Sequence, residues 1–191
     1  KEEADIFSDS EEGIVPVPTI THGEYQKLTD FLTQKKHPAL LAVQIAYYAG
    51  LRIGEVCALT WQDINLDEQY LTVIRSMRYN GTRHKHEVGT TKRSKVRTVD
   101  FCDTLADILR KVKTEQHKNR FLYGELYHLN YCKTVKEKGR TYYEVYSLQR
   151  TQETPENDRE LSFVCLKEDG AFVSASAVGQ ICRKAKAEVE G

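Results

Sequence analysis

The chain has no net charge to read, because 28 Lys and Arg residues balance 28 Asp and Glu. Overall charge therefore names no partner, and only its distribution informs. No apolar run reaches the roughly 18 residues a spanning helix needs, and no secretory leader pattern is present. A cytoplasmic protein that does not enter a membrane is the expectation. Cysteine is sparse: Cys57, Cys102, Cys132, Cys165 and Cys182 are odd in number and form no Cys-x-x-Cys pair. That pattern argues against both a disulfide framework and a thiolate zinc site. The six histidines lack carboxylate or thiolate neighbours at ligand spacing, so neither a metal nor any other cofactor is expected. Repeats and low-complexity tracts are missing too. At 191 residues the chain suits one well-buried domain, or a domain with an attached arm.

What is present is uneven. Residues 1–14 hold six acids against Lys1, and Val15-Pro16-Val17-Pro18 follows, so 1–18 reads as an extended linker. From Arg75 to Arg97 there are eight Lys or Arg and a single acid, Glu87. That stretch is a local basic footprint on a neutral protein.

The periodicities predict a mostly helical α+β domain. Thr21-His22-Gly23-Glu24 is a capping box opening a helix to about Gln34, with Tyr25, Leu28, Phe31 and Leu32 on one face. Ala39 to Ala49 carries no charge and reads as a buried helix ending at Gly50. Tyr70 to Tyr79 alternates as a strand, Asn80-Gly81 signals a hairpin, and Val96–Val99 is a second strand. One antiparallel sheet of two or three strands over 70–100 is expected. Asp103 is expected to cap a helix whose apolar stripe (Leu105, Ile108, Leu109, Val112) continues through Phe121, Leu122 and Leu126. Tyr142–Tyr146 pairs as a strand with Tyr131–Thr134 across Lys138-Gly139. Residues 149–160 form a polar loop, Leu161–Leu166 a strand, and Ser174 caps a last helix with Val178, Ile181, Cys182 and Ala185 inward.

Two stretches could carry chemistry. In Gly50-Leu51-Arg52-Ile53-Gly54-Glu55, Arg52 sits at the mouth of a second short helix, where a cation and a helix start together favour an arriving anion such as phosphate. The plainer alternative is an i,i+3 pair between Arg52 and Glu55. In Thr90-Thr91-Lys92-Arg93-Ser94-Lys95-Val96-Arg97-Thr98-Val99, a basic loop enters a strand. It suits sequence-independent phosphate contacts, and equally a charged, solvated edge. His84, Lys85 and His86 add further cationic or polar candidates nearby.

Gly50–Glu55 with Leu59-Thr60-Trp61-Gln62-Asp63-Ile64 resembles the first catalytic box of the tyrosine recombinases, the integrases of phages and conjugative transposons. The basic loop resembles their lysine-bearing β-hairpin. The resemblance implies the DNA breaking-and-rejoining catalytic-domain fold with a small antiparallel sheet. It also implies site-specific recombination of double-stranded DNA through a phosphotyrosine intermediate, by a multimer on paired sites. Arg52 is then a catalytic arginine and Lys92 the general acid toward the leaving 5′ oxygen, with Lys95 the second choice for that role. Lys85, Arg93, Lys95 and Arg97 would bind DNA.

The family pattern continues with a His-x-x-Arg box and a late nucleophilic tyrosine. A His-x-x-Arg string occurs once, at His117-Lys118-Asn119-Arg120 inside the helix expected from Asp103; none occurs after it, and no tyrosine follows Tyr146. The expectation is a partial catalytic domain over 19–191, with an insertion at about 119–160. Such a fragment would be inactive alone and monomeric, with an exposed apolar surface where the segment exchanged between subunits would dock. A non-catalytic DNA-binding module on the same scaffold is the alternative.

Overall fold

A computed structural model describes residues 20–91 and 95–190. The expected linker over 1–18 lies outside them. Thr21 opens helix α1 (His22–Gln34) with the full capping box: its Oγ1 accepts from the Glu24 N–H at 3.2 Å, and Glu24 Oε2 accepts from the Thr21 N–H at 2.7 Å. Helix α2 (Leu40–Ala49) is apolar along its length and buries Ala42, Val43, Ile45 and Ala49. It stops at Gly50, whose left-handed φ of +63° a side chain would resist. Helix α3 (Ile53–Cys57) follows after two residues. Its closeness to the sheet depends on Gly54, where a Cβ would lie 2.6 Å from Ser76 Oγ and 2.8 Å from the Met77 carbonyl.

The β structure is richer than one small sheet. Strands β1 (Ile64–Asn65), β2 (Tyr70–Val73) and β5 (Arg97–Asp100) form a three-stranded antiparallel sheet in the order β1-β2-β5. Strands β3 (Arg75–Asn80), β4 (Lys85–Thr90), β6 (His128–Glu137), β7 (Arg140–Gln149) and β8 (Arg159–Glu160) form a second, ordered β3-β4-β7-β6-β8. The single strand expected over Tyr70–Tyr79 is therefore two, broken at Ile74. Four residues of β5 pair with Tyr70–Val73; past that ladder the chain finds a new partner in β4. The return strand β4 was hidden because its sequence is polar, yet Glu87 in its middle is only 1% exposed.

The β6–β7 hairpin pairs from His128↔Gln149 to Glu137↔Arg140, in the expected register but about twice the expected length. Leu161–Leu166 is not a strand. It makes isolated bridges, Thr60↔Phe163 and Leu166↔Phe172, while Phe163 and Val164 bury completely. The polar stretch 149–160 ends in β8, which pairs with Tyr131 and Cys132.

Helix α4 (Asp103–Tyr123) starts as expected, but Asp103 does not cap it. Cys102 is the N-cap, and Asp103 Oδ1 accepts from Gln69 Nε2 at 2.8 Å. The buried stripe of α4 ends near its middle. Leu105 and Leu109 are buried, whereas Phe121, Leu122 and Leu126 are 86%, 80% and 59% exposed. Helix α5 (Ala175–Glu190) opens with Ser174 Oγ accepting from the Ala177 N–H at 3.2 Å, and buries Val178 and Ala185. The core lies where α1, α2, α3, α4 and α5 meet both sheets around Ile45, Leu59, Leu71, Leu105 and Phe163. Each such side chain contributes about 1.5–3 kcal/mol by leaving water.

Candidate functional site

The Gly50–Ile64 segment divides into a part that holds the scaffold and a part that faces solvent. Thr60 caps the turn at Trp61–Asp63, its N–H and Oγ1 both donating to Asp63 Oδ2 at 2.8 Å. Arg75 neutralises that buried carboxylate and donates to Thr60 Oγ1 at 3.2 Å. Trp61 donates its N–H to Ser162 O at 2.9 Å, and its ring Nε1 to Gln116 Oε1 at 2.9 Å. These bonds lock the box to α4 and to the 161–164 segment. They do no chemistry.

Arg52 is different. It is the N-cap of α3, in extended conformation, and its side chain is 69% exposed. Its N–H donates to Glu55 Oε2 at 3.1 Å, while its guanidinium reaches Glu55 Oε1 only at 3.5 Å, at the outer limit of a hydrogen bond. The expected Arg52–Glu55 pair thus exists but is loose. Because Arg52's own N–H is spent on Glu55 and α3 is barely one turn, the positive character here belongs to the guanidinium rather than to a helix dipole.

The main partner of Glu55 is Arg97, at the start of β5. Its Nη1 donates to Oε1 at 3.0 Å and its Nη2 to Oε2 at 2.7 Å, a parallel two-bond fork. Arg97, seconded by the Arg52 backbone and side chain, holds the Glu55 carboxyl below its ordinary range despite burial, and Glu55 in turn raises Arg97. One carboxylate faces two guanidiniums, so the cluster carries a net positive charge with Arg52 on its open side. This fork is not legible in the sequence. The two residues are 42 apart, and no local pattern links them.

The other expected residues are placed as follows. Lys92 and Arg93 lie outside the described residues. Lys95 is exposed two residues before β5, and its carbonyl accepts from Thr91 Oγ1 at 2.8 Å. Lys85 is exposed at the start of β4, opposite Asn80. Neither Lys85 nor Lys95 touches the Arg52 cluster in any hydrogen bond or ion pair. His84 meets the Tyr79 hydroxyl at 3.2 Å, and His86 packs on Tyr79 and Phe172, where burial lowers its pKa and keeps it neutral.

Among the described residues no group of three or more His, Cys, Asp or Glu side chains is arranged to hold a metal. Burial pushes the Cys57 thiol up to about 12 and raises Cys165 well above the ordinary thiol value, so both act as small apolar side chains. Three tyrosines are poor nucleophiles where they stand. Tyr25 stacks on Tyr47 at 3.7 Å, Tyr127 is buried, and Tyr146 donates to Asp158; burial first of all raises each pKa. No helix among the described residues is long and apolar enough to cross a membrane.

The sequence matches the model of the phage integrase family over residues 18–189. The chain belongs to that family. No curated protein matches it. Among solved structures, the integrase of the Tn1549 transposon in complex with transposon right-end DNA superposes with a TM-score of 0.56 at 17% identity, covering 92% of this chain and 46% of that one. The same integrase with circular-intermediate DNA gives 0.55 at 18% identity, with the same coverage. The fold is thus the tyrosine-recombinase catalytic-domain fold, mixed α+β, and this integrase-family chain spans less than half the length of those structures.

Proposed function

We propose that the intact protein cleaves and rejoins double-stranded DNA at specific sites through a phosphotyrosine intermediate, and that this chain supplies Arg52 and Lys92 to the reaction. The observation that carries the proposal is the Arg52 cluster: a solvent-facing guanidinium beside a carboxylate already neutralised by Arg97. In the reaction a tyrosine oxygen, supplied from outside the 191 residues, bonds to a DNA phosphorus as the 5′ oxygen departs. Negative charge grows on the non-bridging oxygens, and a fixed guanidinium meets it with paired N–H donors. Lys92 gives its proton to the leaving oxygen. Lys85, Arg93 and Lys95 contact the DNA backbone without reading bases.

The Tn1549 integrase, whose solved complexes hold transposon-end and circular-intermediate DNA, supports a duplex-DNA partner and a mobile-element setting for this family member. The 119–160 stretch, which contains the long β6–β7 hairpin, is read as an insertion on the catalytic scaffold. Multimers on paired sites in the cytoplasm complete the proposal.

The test is a nicked suicide substrate incubated with the intact protein and resolved under denaturing conditions. A covalent protein–DNA adduct is expected, and Arg52→Ala is expected to slow its formation while leaving binding within a few-fold. Unchanged adduct formation in Arg52→Ala would remove Arg52 from the mechanism. Absence of any adduct from the intact protein would favour a DNA-binding module on the same scaffold. The 191-residue chain alone is expected to form none.

A further inference from the structure

The Glu55 carboxylate is nearly inaccessible, with a side chain 2% exposed, and two guanidiniums can reach it. Arg97 holds both oxygens by short bonds, so Arg52 is left with a 3.5 Å contact and a mostly exposed head. A buried carboxylate needs a compensating cation. If Arg97 did not occupy it, the nearest cation is Arg52, already hydrogen-bonded to the same carboxylate through its backbone.

We propose that Arg97 is a positioning residue: by saturating Glu55 it keeps the Arg52 guanidinium turned outward, available to an anion. Arg97 acts through Glu55, not by touching the phosphate itself. Glu55 correspondingly has two tasks. Its carboxylate fixes the Arg52 backbone at the head of α3, and it gives Arg97 a reason to cross from β5 to α3. The fork geometry matters, because a lysine at 97 could engage only one oxygen at a time and would leave the other to compete for Arg52.

The functional weight of this inference rests on reading Arg52 as the phosphate ligand, but the test needs no DNA and so stands apart from that reading. Phenylglyoxal, which modifies accessible guanidiniums, is applied to the purified chain, and modification of Arg52 is followed by peptide mass mapping. In the parent protein Arg52 is expected to react readily. In Arg97→Ala it is expected to react severalfold more slowly, because it folds inward onto Glu55. Combining Arg97→Ala with Glu55→Gln is expected to restore the parental rate, since a neutral amide exerts no such pull.

That rescue separates positioning from mere stability, because the double variant lacks the fork as well. Should Arg97→Ala fail to fold, Arg97→Lys serves in its place, with a smaller slowing and the same rescue by Glu55→Gln. An Arg52 rate that stays the same or rises in the variant at 97, or a slowing that Glu55→Gln does not relieve, overturns the proposal.

Discussion

Glu55 and Glu87 are built from the same parts and end in different states. Each is a glutamate almost fully removed from solvent, and each faces two arginines: Arg52 and Arg97 for Glu55, Arg78 and Arg83 for Glu87. Arg52 and Arg78 are even matched in exposure, at 69% and 70%. The surroundings differ. Arg83 is shared with Glu144 at 2.5 Å and Glu137 at 3.4 Å and lies 4.1 Å over the Tyr142 ring, so three carboxylates meet two guanidiniums there. Asn80 adds a further donor to Glu87 at 2.9 Å. That cluster clasps the β3–β4 hairpin to β6–β7 and has no positive charge to spare. At Glu55 one carboxylate meets two guanidiniums, and a positive charge is left facing water. Local charge balance, rather than the presence of a buried pair, distinguishes a clasp from a binding site.

Arg52→Ala is expected to lower DNA cleavage by the intact protein by about 10²–10³-fold, the usual cost of one transition-state donor. Arg78→Ala, of equal exposure, should leave the cleavage rate near the parental value. A similar loss in both would show that the two arginines are equivalent after all.

Stability should order the clusters the other way. Arg83→Ala takes away the guanidinium that Glu87, Glu144 and Glu137 share, leaving Arg78 as the ion-pair partner of Glu87, and a cost of about 3–5 kcal/mol is expected, as for other broken buried pairs. Arg97→Ala should cost less, about 1–3 kcal/mol, because Arg52 stands close enough to take over Glu55. Urea unfolding of the two variants measures the difference, and equal costs would mean that Arg52 does not swing in.

A smaller effect concerns pH. Arg97 first, and then the Arg52 backbone, hold Glu55 below the ordinary carboxylate value of 4.5. A depressed folded-state value means the unfolded chain takes up the proton first as pH falls. The associated stability is therefore present above about pH 4.5 and is lost as pH drops below it, through the lowered folded value. Melting temperatures between pH 6 and pH 3 should fall less steeply in Glu55→Gln than in the parent protein. An identical slope would show that Glu55 is not a linked group. Smallest of all, Lys85→Ala should reduce the salt dependence of duplex binding by about one unit of slope, without changing which sequence is bound. No change would leave Lys85 without a DNA role.

How far the sequence could be read follows from the range of the interactions involved. The capping box at Thr21–Glu24, the stop at Gly50 and the Ser174 cap were legible because each is settled within four residues. The β6–β7 register was legible because Lys138-Gly139 fixes a tight turn between alternating strands. The second sheet was not, since β4 is polar and its buried Glu87 is compensated by Arg78 on β3 and by Arg83 in the turn between β3 and β4. Phe121, Leu122 and Leu126 continued a helical period that the tertiary packing did not use. At the site, Arg52 stood out by its setting. The Arg97–Glu55 fork did not, because the pairing exists only after β5 has been brought against α3.

Arg52 and Arg78, matched in exposure, allow the open charge beside Glu55 to be footprinted with DNA. The chain is treated with phenylglyoxal with and without a saturating DNA duplex, and both arginines are mapped in the same digest. Protection of Arg52 by DNA with Arg78 unprotected is the predicted result. Equal protection of both, or modification of Arg52 unaffected by DNA, would contradict the assignment of the open charge beside Glu55 as a phosphate site.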